Sequence, residues 1–473
     1  MSASTLPEVI QGGMGAGVSA WQLARAVSQT GQLGVVSGTA LDLILARRLQ
    51  DGDVDGDARR ALAVFPDQQM AQRVLDRFFL DGGRAEGQPY RPVDKMTLRQ
   101  TGRSQELSIV ANFAEVWLAK EGHDGLVGVN LLEKIQLATP AAVLGAMLAN
   151  VDVVLMGAGV PRDIPRLVTD LAEGRVGSIA IDVHGADQEY RIEIDAAEVL
   201  SVPVPQLRRP QFLAIVSAAV LASYLARDES TRPDGFVIEG SPAGGHNAPP
   251  RGQLVLDEFN EPVYGPRDDV NLAQIAALGL PFWLAGAYGT RERLLEARAQ
   301  GAAGVQVGTL FALCEESGML PEIRHEILQQ LSDHTLNVRT DALASPTGFP
   351  FKVVQLATTL SDAEVYEERP RLCDLSYLRT PYVSESGDIG YRCPSEPIAI
   401  FTRKGGDLDD TVGRQCLCNA LTANVGLAQT RKTGYTEQPL VTLGSDLDSA
   451  AAMWLRFGAA WHASDVVEWL IAG

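Results

Sequence analysis

The chain has 473 residues with 40 basic and 59 acidic side chains, a formal net charge of −19, and it is 46% hydrophobic and 21% charged. That balance is ordinary for a soluble globular protein, and the length calls for one large domain with insertions or for two domains. The acidic excess argues against nucleic acid or an anionic membrane as the main partner, because both reward Lys/Arg patches, but it leaves room for an anionic ligand held by backbone N–H groups.

The opening "MSASTLPEVIQGGMG" has neither a basic start nor an apolar core, so no secretory signal is expected. The longest near-apolar run, "FLAIVSAAVLASYLA" (212–226), is too short to cross a bilayer and reads as buried core. Five cysteines in the whole chain do not make a disulfide scaffold, and a reducing cytoplasm is the expected setting.

Eight short apolar runs, each ending in Gly, Ser or Thr or close to one, follow in chain order. They are "EVIQGGM" (8–14), "LGVVSGT" (33–39), "LVGVNLL" (126–132), "DVVLMGAG" (152–159), "FLAIVS" (212–217), "GFVIEGS" (235–241), "PFWLAG" (281–286) and "GVQVGT" (304–309). They do not alternate and are rich in Val, Ile and Leu, which suits parallel strands covered on both faces. Helical patterns such as "TRERLLEARAQGA" lie between most of them, so an α/β fold of the (β/α)8 barrel type is expected. "SIAIDV" (178–183) and "EYRIEI" (189–194) read as an inserted hairpin, although the former competes for the fifth strand.

The expected domains are a barrel over 1–318 with an insertion at about 42–125, a cap over 319–445, and helices over 446–473 that pack back on the barrel.

In such barrels the active site lies at the carboxyl ends of the strands, and phosphate often binds the loops after strands seven and eight. Here those loops hold Gly286, Gly289 and Gly308, where a backbone can approach closely, with Thr290 and Thr309 at the expected starts of helices. Each glycine alone is more often a plain turn; the pair of loops at the right two positions makes a phosphate site an even reading. The first strand runs into Gly12, Gly13, Gly15 and Gly17, with Ser19 a plausible helix N-cap. A dinucleotide fingerprint is rejected, since no acidic residue ends the second strand.

His246 follows strand six on the same rim, with Gly244 and Gly245 leaving room beside it. It is a candidate proton-transfer group, against the equal alternative of a loop-capping histidine. "DGDVDGD" (51–57) starts like a calcium loop, but the twelfth position is Leu62, so it reads as a solvated turn. Cys373, Cys393, Cys416 and Cys418 cluster in sequence with a spacing that fits no zinc pattern; small buried thiols are the more frequent case, and no metal is assigned.

The segments "IQGGMGAGVSAWQLARAVSQTGQLGVVSGT", "VGVNLL", "GFVIEGSPAGGH", "LPFWLAGAYGT" and "GAAGVQVGTLFALCEES" together resemble the nitronate monooxygenase (2-nitropropane dioxygenase) family. The FMN-dependent enoyl-acyl-carrier-protein reductases share that scaffold. The bulk of residues 42–125 and 340–445 is more similar to the longer flavin reductases that serve polyketide and polyunsaturated fatty acid synthases.

The resemblance implies noncovalent FMN. Gly286, Gly289, Gly308 and Thr309 would cradle its phosphate, and Gly13 and Met14 would line the ring. Asn130 would hydrogen-bond near it, Gly244 and Gly245 would pass close by, Gln306 matches a family position, and His246 falls on the catalytic histidine. Two departures from the family pattern are Ala248, two residues after the histidine, and Ala287, where a second glycine is usual.

The activity implied is oxidation of nitronates or nitroalkanes by oxygen to carbonyl compounds and nitrite. The alternative is reduction of an enoyl thioester by NAD(P)H through FMN. A barrel that binds a phosphorylated ligand without turnover is a third reading. The expected partners are a small-molecule substrate with oxygen or NAD(P)H; a homo-oligomer is compatible with all three.

Overall fold

The computed structural model describes residues 6–472. Residues 1–5 and 473, which belong to the expected amino-terminal and carboxyl-terminal segments, lie outside the described residues.

The eight apolar runs form eight parallel strands: β1 (Val9–Gln11), β2 (Gly34–Ser37), β3 (Val127–Leu132), β4 (Val153–Gly157), β5 (Gln211–Val216), β6 (Gly235–Glu239), β7 (Phe282–Ala285) and β8 (Gly304–Val307). Their order in space is β1-β8-β7-β6-β5-β4-β3-β2. The seam between β1 and β2 is closed by an Ile10–Leu33 bridge, in which Gln11 N donates to Leu33 O at 3.0 Å and Leu33 N to Val9 O at 3.2 Å. The Gln11 side chain extends this seam, its Oε1 accepting from Val35 N at 2.8 Å. The sheet is therefore a (β/α)8 barrel.

The lack of alternation in the runs has a direct cause: both faces of every strand are buried. Ile10, Leu33, Val35, Leu155, Leu213, Ile215, Val237 and Trp283 fill the barrel interior, while the intervening residues pack against the helical ring. Filling by branched and aromatic side chains makes the interior a solid core. Trp283 anchors it from below, its Nε1 donating to Pro7 O at 2.8 Å.

"SIAIDV" and "EYRIEI" form an antiparallel hairpin, Gly177–Ile181 with Tyr190–Ile194, outside the barrel sheet. Within 42–125, the helix Gly102–Lys120 packs against Trp21–Gln29, Thr139–Leu148, β2 and β3, and so takes the place of the barrel helix between those strands. Residues 319–445 contribute two small sheets, Val338–Asp341 with Phe351–Val354 and Thr380–Val383 with Ile389–Arg392. The helices Asp448–Phe457 and Ala463–Ile471 return to the barrel, the latter packing against Trp21–Gln29 and Arg291–Ala299. Among the described residues, no helix is long and apolar enough to cross a membrane.

Candidate active site at the carboxyl rim of the barrel

The carboxyl ends of the strands open into a cavity. Gly13, Met14, Asn130, Gly244, Gly245, Gly286, Gly289, Gln306, Gly308 and Thr309 all border it. Thr290 does not; its hydroxyl caps the helix Arg291–Ala299 by accepting from Arg293 N at 3.3 Å.

The first glycine loop passes directly beneath β3. A Cβ on Gly13 would sit 2.3 Å from Asn130 Cβ, and Asn130 Nδ2 donates to Gly13 O at 3.1 Å. Only glycine permits that approach. Ser19 is not the expected N-cap: the cap of Trp21–Gln29 is Ala20, without a side-chain bond. The Ser19 hydroxyl instead staples the loop, accepting from Met14 N and donating to Gly12 O, both at 2.8 Å. The loop's own backbone groups outbid the helix for that hydroxyl.

Two buried amide oxygens on the cavity wall, Asn130 Oδ1 and Gln306 Oε1, have no hydrogen-bond partner among the described residues. Such groups are costly unless a ligand or water meets them. At the opposite end the wall is backbone and small polar side chains, and among the described residues no lysine or arginine borders it. Gly286 has φ +89°, with Gly240 O only 3.0 Å from the position of a Cβ. Its neighbour Ala287 adopts φ +63°, a left-handed conformation that the family's glycine would take without strain.

The sequence reading missed a carboxyl-terminal contribution to this end. Gly444 N donates to Thr309 Oγ1 at 2.9 Å, Ser449 Oγ donates to Asp446 Oδ2 at 2.6 Å, and Gly444, Asp446 and Ser449 border the cavity. Two indoles fasten the loops from outside: Trp469 Nε1 donates to Gly289 O and Trp461 Nε1 to Leu310 O, each at 2.9 Å. The signal available in sequence was three tryptophans, Trp454, Trp461 and Trp469, in a short amphipathic tail.

His246 lies in an adjoining lobe that shares Gly13, Asn130, Ile215, Glu239, Gly245 and Thr442 with the main cavity. Leu131, Leu132, Phe351 and Leu421 give this lobe an apolar wall. His246 Nε2 meets Ser345 Oγ at 2.7 Å, and the ring packs edge-on against Phe351 at 4.8 Å between centroids. The backbone on either side is pinned, Lys352 N donating to Gly245 O and Asn247 N to Pro350 O, each at 2.9 Å. Burial, with a smaller contribution from Lys134, pushes the imidazole down to about 4, so the ring is uncharged at neutral pH.

Glu239, the last residue of β6, was also missed because it reads as the end of a strand. Its carboxyl borders both lobes, and burial pushes it up to about 8.

Two sequence alternatives resolve differently. Asp53 is not a solvated turn residue: its carboxylate accepts from Ala58 N and Arg59 N at 2.9 Å and caps the next helix. Cys373, Cys393, Cys416 and Cys418 are free thiols, and among the described residues no group of three or more His, Cys, Asp or Glu is arranged to hold a metal.

Residues 192–342 match the nitronate monooxygenase family model. That stretch carries β5 to β8, His246 and both loops after β7 and β8, and it bears out the resemblance seen in the sequence. The name is that of an oxidoreductase family. Two curated proteins described as (3aS,4S,5R,7aS)-5-hydroxy-7a-methyl-1-oxo-octahydro-1H-indene-4-carboxyl-CoA dehydrogenase are each 28% identical. The one from Rhodococcus jostii (strain RHA1) aligns over 170 residues, 36% of this chain and 39% of that protein. The one from Mycobacterium tuberculosis (strain ATCC 25618 / H37Rv) aligns over 200 residues, 40% and 50% respectively. The chain thus spans half or less of the length of these relatives. FabK from Thermotoga maritima is similar in structure at a TM-score of 0.49 and 15% identity, over 98% of this chain and 92% of that one.

Proposed function

We propose that this chain is an FMN-dependent oxidoreductase acting on an enoyl thioester with NAD(P)H as the electron source. The observation that carries the reading is the cavity itself: a glycine-lined cradle with two unpartnered amide oxygens, continuous with an apolar lobe that ends at an uncharged histidine.

The residues fit the flavin on three counts. Asn130 Oδ1 and Gln306 Oε1 are acceptors without partners, suited to the N–H of a flavin ring. Gly13 and Gly286 lie where a side chain would meet backbone or Asn130 and narrow the cradle. The end formed by Gly289, Gly308, Thr309, Gly444 and Ser449 offers backbone and hydroxyl groups of the kind that bind a phosphate without a cation. The sequence carries no dinucleotide fingerprint for a pyrophosphate and adenosine, which favours FMN. When bound, the flavin supplies the hydride chemistry, and the protein supplies binding, orientation and proton control.

His246 would hold the substrate. With Nε2 facing Ser345, the ring's Nδ1 is the atom left for a ligand, and as an N–H it donates to the thioester carbonyl. Leu131, Leu132, Phe351 and Leu421 would receive the acyl chain and exclude water. On this reading the barrel of residues 1–318, with its insertion at 42–125, holds the cofactor. The segment 319–445 is a cap over the substrate lobe, and the helices of 446–473 secure the phosphate end. That the two curated relatives are named for a carboxyl-CoA substrate supports a thioester.

The family match supports a second reading, oxidation of a nitronate or nitroalkane by oxygen. There the other tautomer of His246 would accept an α-proton. One comparison separates the two. Purified protein should release FMN on denaturation and, in the absence of oxygen, turn NADPH over repeatedly only when an enoyl thioester is present. Nitrite release from a nitronate under air, with no thioester reaction, would replace the first reading by the second. Neither reaction, with flavin bound, would leave a ligand-binding barrel.

A further inference from the structure

Glu239 has no assigned task, yet its place is unusual. It ends β6 opposite Ala285 of β7, where the next residue, Gly240, turns away by donating to Ala285 O at 2.9 Å. Glu239 therefore sits where the two lobes meet, lining both. Among the described residues no group hydrogen-bonds to its carboxyl, and no arginine, lysine or backbone N–H stabilises its charge. The titratable groups around it are the uncharged imidazole of His246 in the same lobe, Asp446 across the main cavity, and Tyr264, whose phenol is itself pushed up to about 12 by burial and by negative charge at Asp268 and Glu239. None of these favours a carboxylate. A chain that needed only a polar wall here would gain by using glutamine, which carries no charge to desolvate.

We infer that Glu239 is the proton donor of the site, a neutral carboxylic acid that protonates the substrate's α-carbon when hydride reaches the β-carbon. This deepens, and rests on, the thioester reading above. The balance is simple: the carbon–carbon double bond takes a hydride originating in the nicotinamide and a proton from Glu239. The carboxyl O–H bond breaks as the α C–H bond forms, the nicotinamide is oxidised, and the enoyl group is reduced. The carboxylate left behind is disfavoured by its surroundings and regains a proton from solvent through the cavity mouth. His246 and Glu239 then divide the work by opposite shifts. Both are uncharged at neutral pH, one as a hydrogen-bond donor to the carbonyl and the other as the acid.

The test is Glu239→Gln, which keeps shape and removes the acid. Infrared difference spectra of wild type across pH 6 to 10 should show a protonated carboxyl band that disappears with a midpoint near 8 and is missing in the variant. This readout needs no flavin and no turnover. In the flavin-loaded protein, the variant should slow enoyl reduction by ~10²–10⁴-fold, the usual worth of a positioned acid, and far more than it slows flavin reduction by NADPH. The alkaline limb of the wild-type pH–rate profile should vanish with it. An unchanged rate, an unchanged alkaline limb, or a carboxylate already ionised at pH 7 would overturn the inference. Failure of the thioester reading looks different: neither protein would reduce an enoyl thioester at any pH, and with no such substrate to protonate the inference falls too, whatever the infrared titration shows.

Discussion

Trp469 Nε1 donates to the carbonyl of Gly289 at 2.9 Å, across 180 residues of sequence, and so ties a carboxyl-terminal helix to the loop after β7. Gly289 also lies against Ser449, whose Cβ is 2.6 Å from where a Cβ on the glycine would be. The end of the cavity at Gly289 is thus held from two sides by a segment remote in sequence.

Trp469→Phe keeps an aromatic six-membered ring and removes the indole N–H donor. A net hydrogen bond contributes about 0.5–1.5 kcal/mol, so the FMN dissociation constant should rise by up to about tenfold while the melting temperature falls by only a few degrees. Fluorescence titration of the apoprotein with FMN measures it. An unchanged affinity would mean that the loop holds its shape unaided.

Gly308→Asp tests the cradle more severely. The added Cβ would contact only Met14, at 3.4 Å from Sδ, so folding should survive. The carboxylate, however, would face the phosphate if the flavin is held as proposed. Protein that purifies colourless with a normal circular dichroism spectrum is the expected result. Full retention of FMN would remove the phosphate from this loop.

His246→Asn should cost enoyl reduction ~10²-fold or more while leaving flavin reduction by NADPH in place. Ser345→Ala should cost less, since it frees Nε2 without removing the ring. If His246→Asn is fully active with both an enoyl thioester and a nitroalkane, the histidine serves only the loop.

The opposed shifts of His246 and Glu239 predict a bell-shaped stability profile. His246 is depressed from 6.5 to about 4, so the unfolded chain binds the proton first and stability falls as pH drops from about 6.5 to 4. Glu239 is raised from 4.5 to about 8, so the folded chain binds the proton more tightly and stability falls as pH rises from about 4.5 to 8. Glu239→Gln should therefore gain on wild type with rising pH, by on the order of 2 kcal/mol at pH 9 once solvent screening is allowed for. Urea midpoints of the apoproteins, taken in parallel from pH 5 to 9, would show it. A constant gap between the two curves contradicts the burial argument.

Cys373 should be the most reactive thiol of the chain. The neighbouring Cys393 thiol, with Ser376 and Arg379, holds it down to about 7, whereas the hydrogen bond to Cys373 and then burial push Cys393 up, and burial pushes Cys314, Cys416 and Cys418 up. Cys373 is also only half-buried. Brief alkylation at pH 7.5 followed by peptide mapping should find the label there first. Dominant labelling at Cys418 would contradict this.

The barrel was legible because parallel strands buried on both faces leave an unmistakable pattern, and all eight runs became strands. The glycine loops and His246 were legible because strand order assigns them to one rim. What the sequence hid shares one cause: it depends on contacts between distant segments. Ser19 reads as a cap until the Gly12–Met14 loop is seen to need its hydroxyl. Glu239 reads as the polar end of a strand until its surroundings prove to lack any partner. Gly444, Asp446 and Ser449 lie in no motif, and only the return of the tail brings them to the cavity.

The seam at Ile10–Leu33 and the tether at Trp469 together set an order of events during synthesis. β1 cannot gain its second neighbour until β8 has been made, because Val9, Ile10 and Gln11 pair with Val305, Gln306 and Val307. Even then the loops after β7 and β8 lack their outer supports until Trp461 and Trp469 have left the ribosome. A nascent chain that has completed every strand therefore still has an unsupported cavity rim, and on the flavin reading proposed above cofactor uptake should be among the last steps of maturation. Contacts of such long range also make folding slow, so a flavin arriving late would act as a latch on a finished barrel more than as a nucleus for building one.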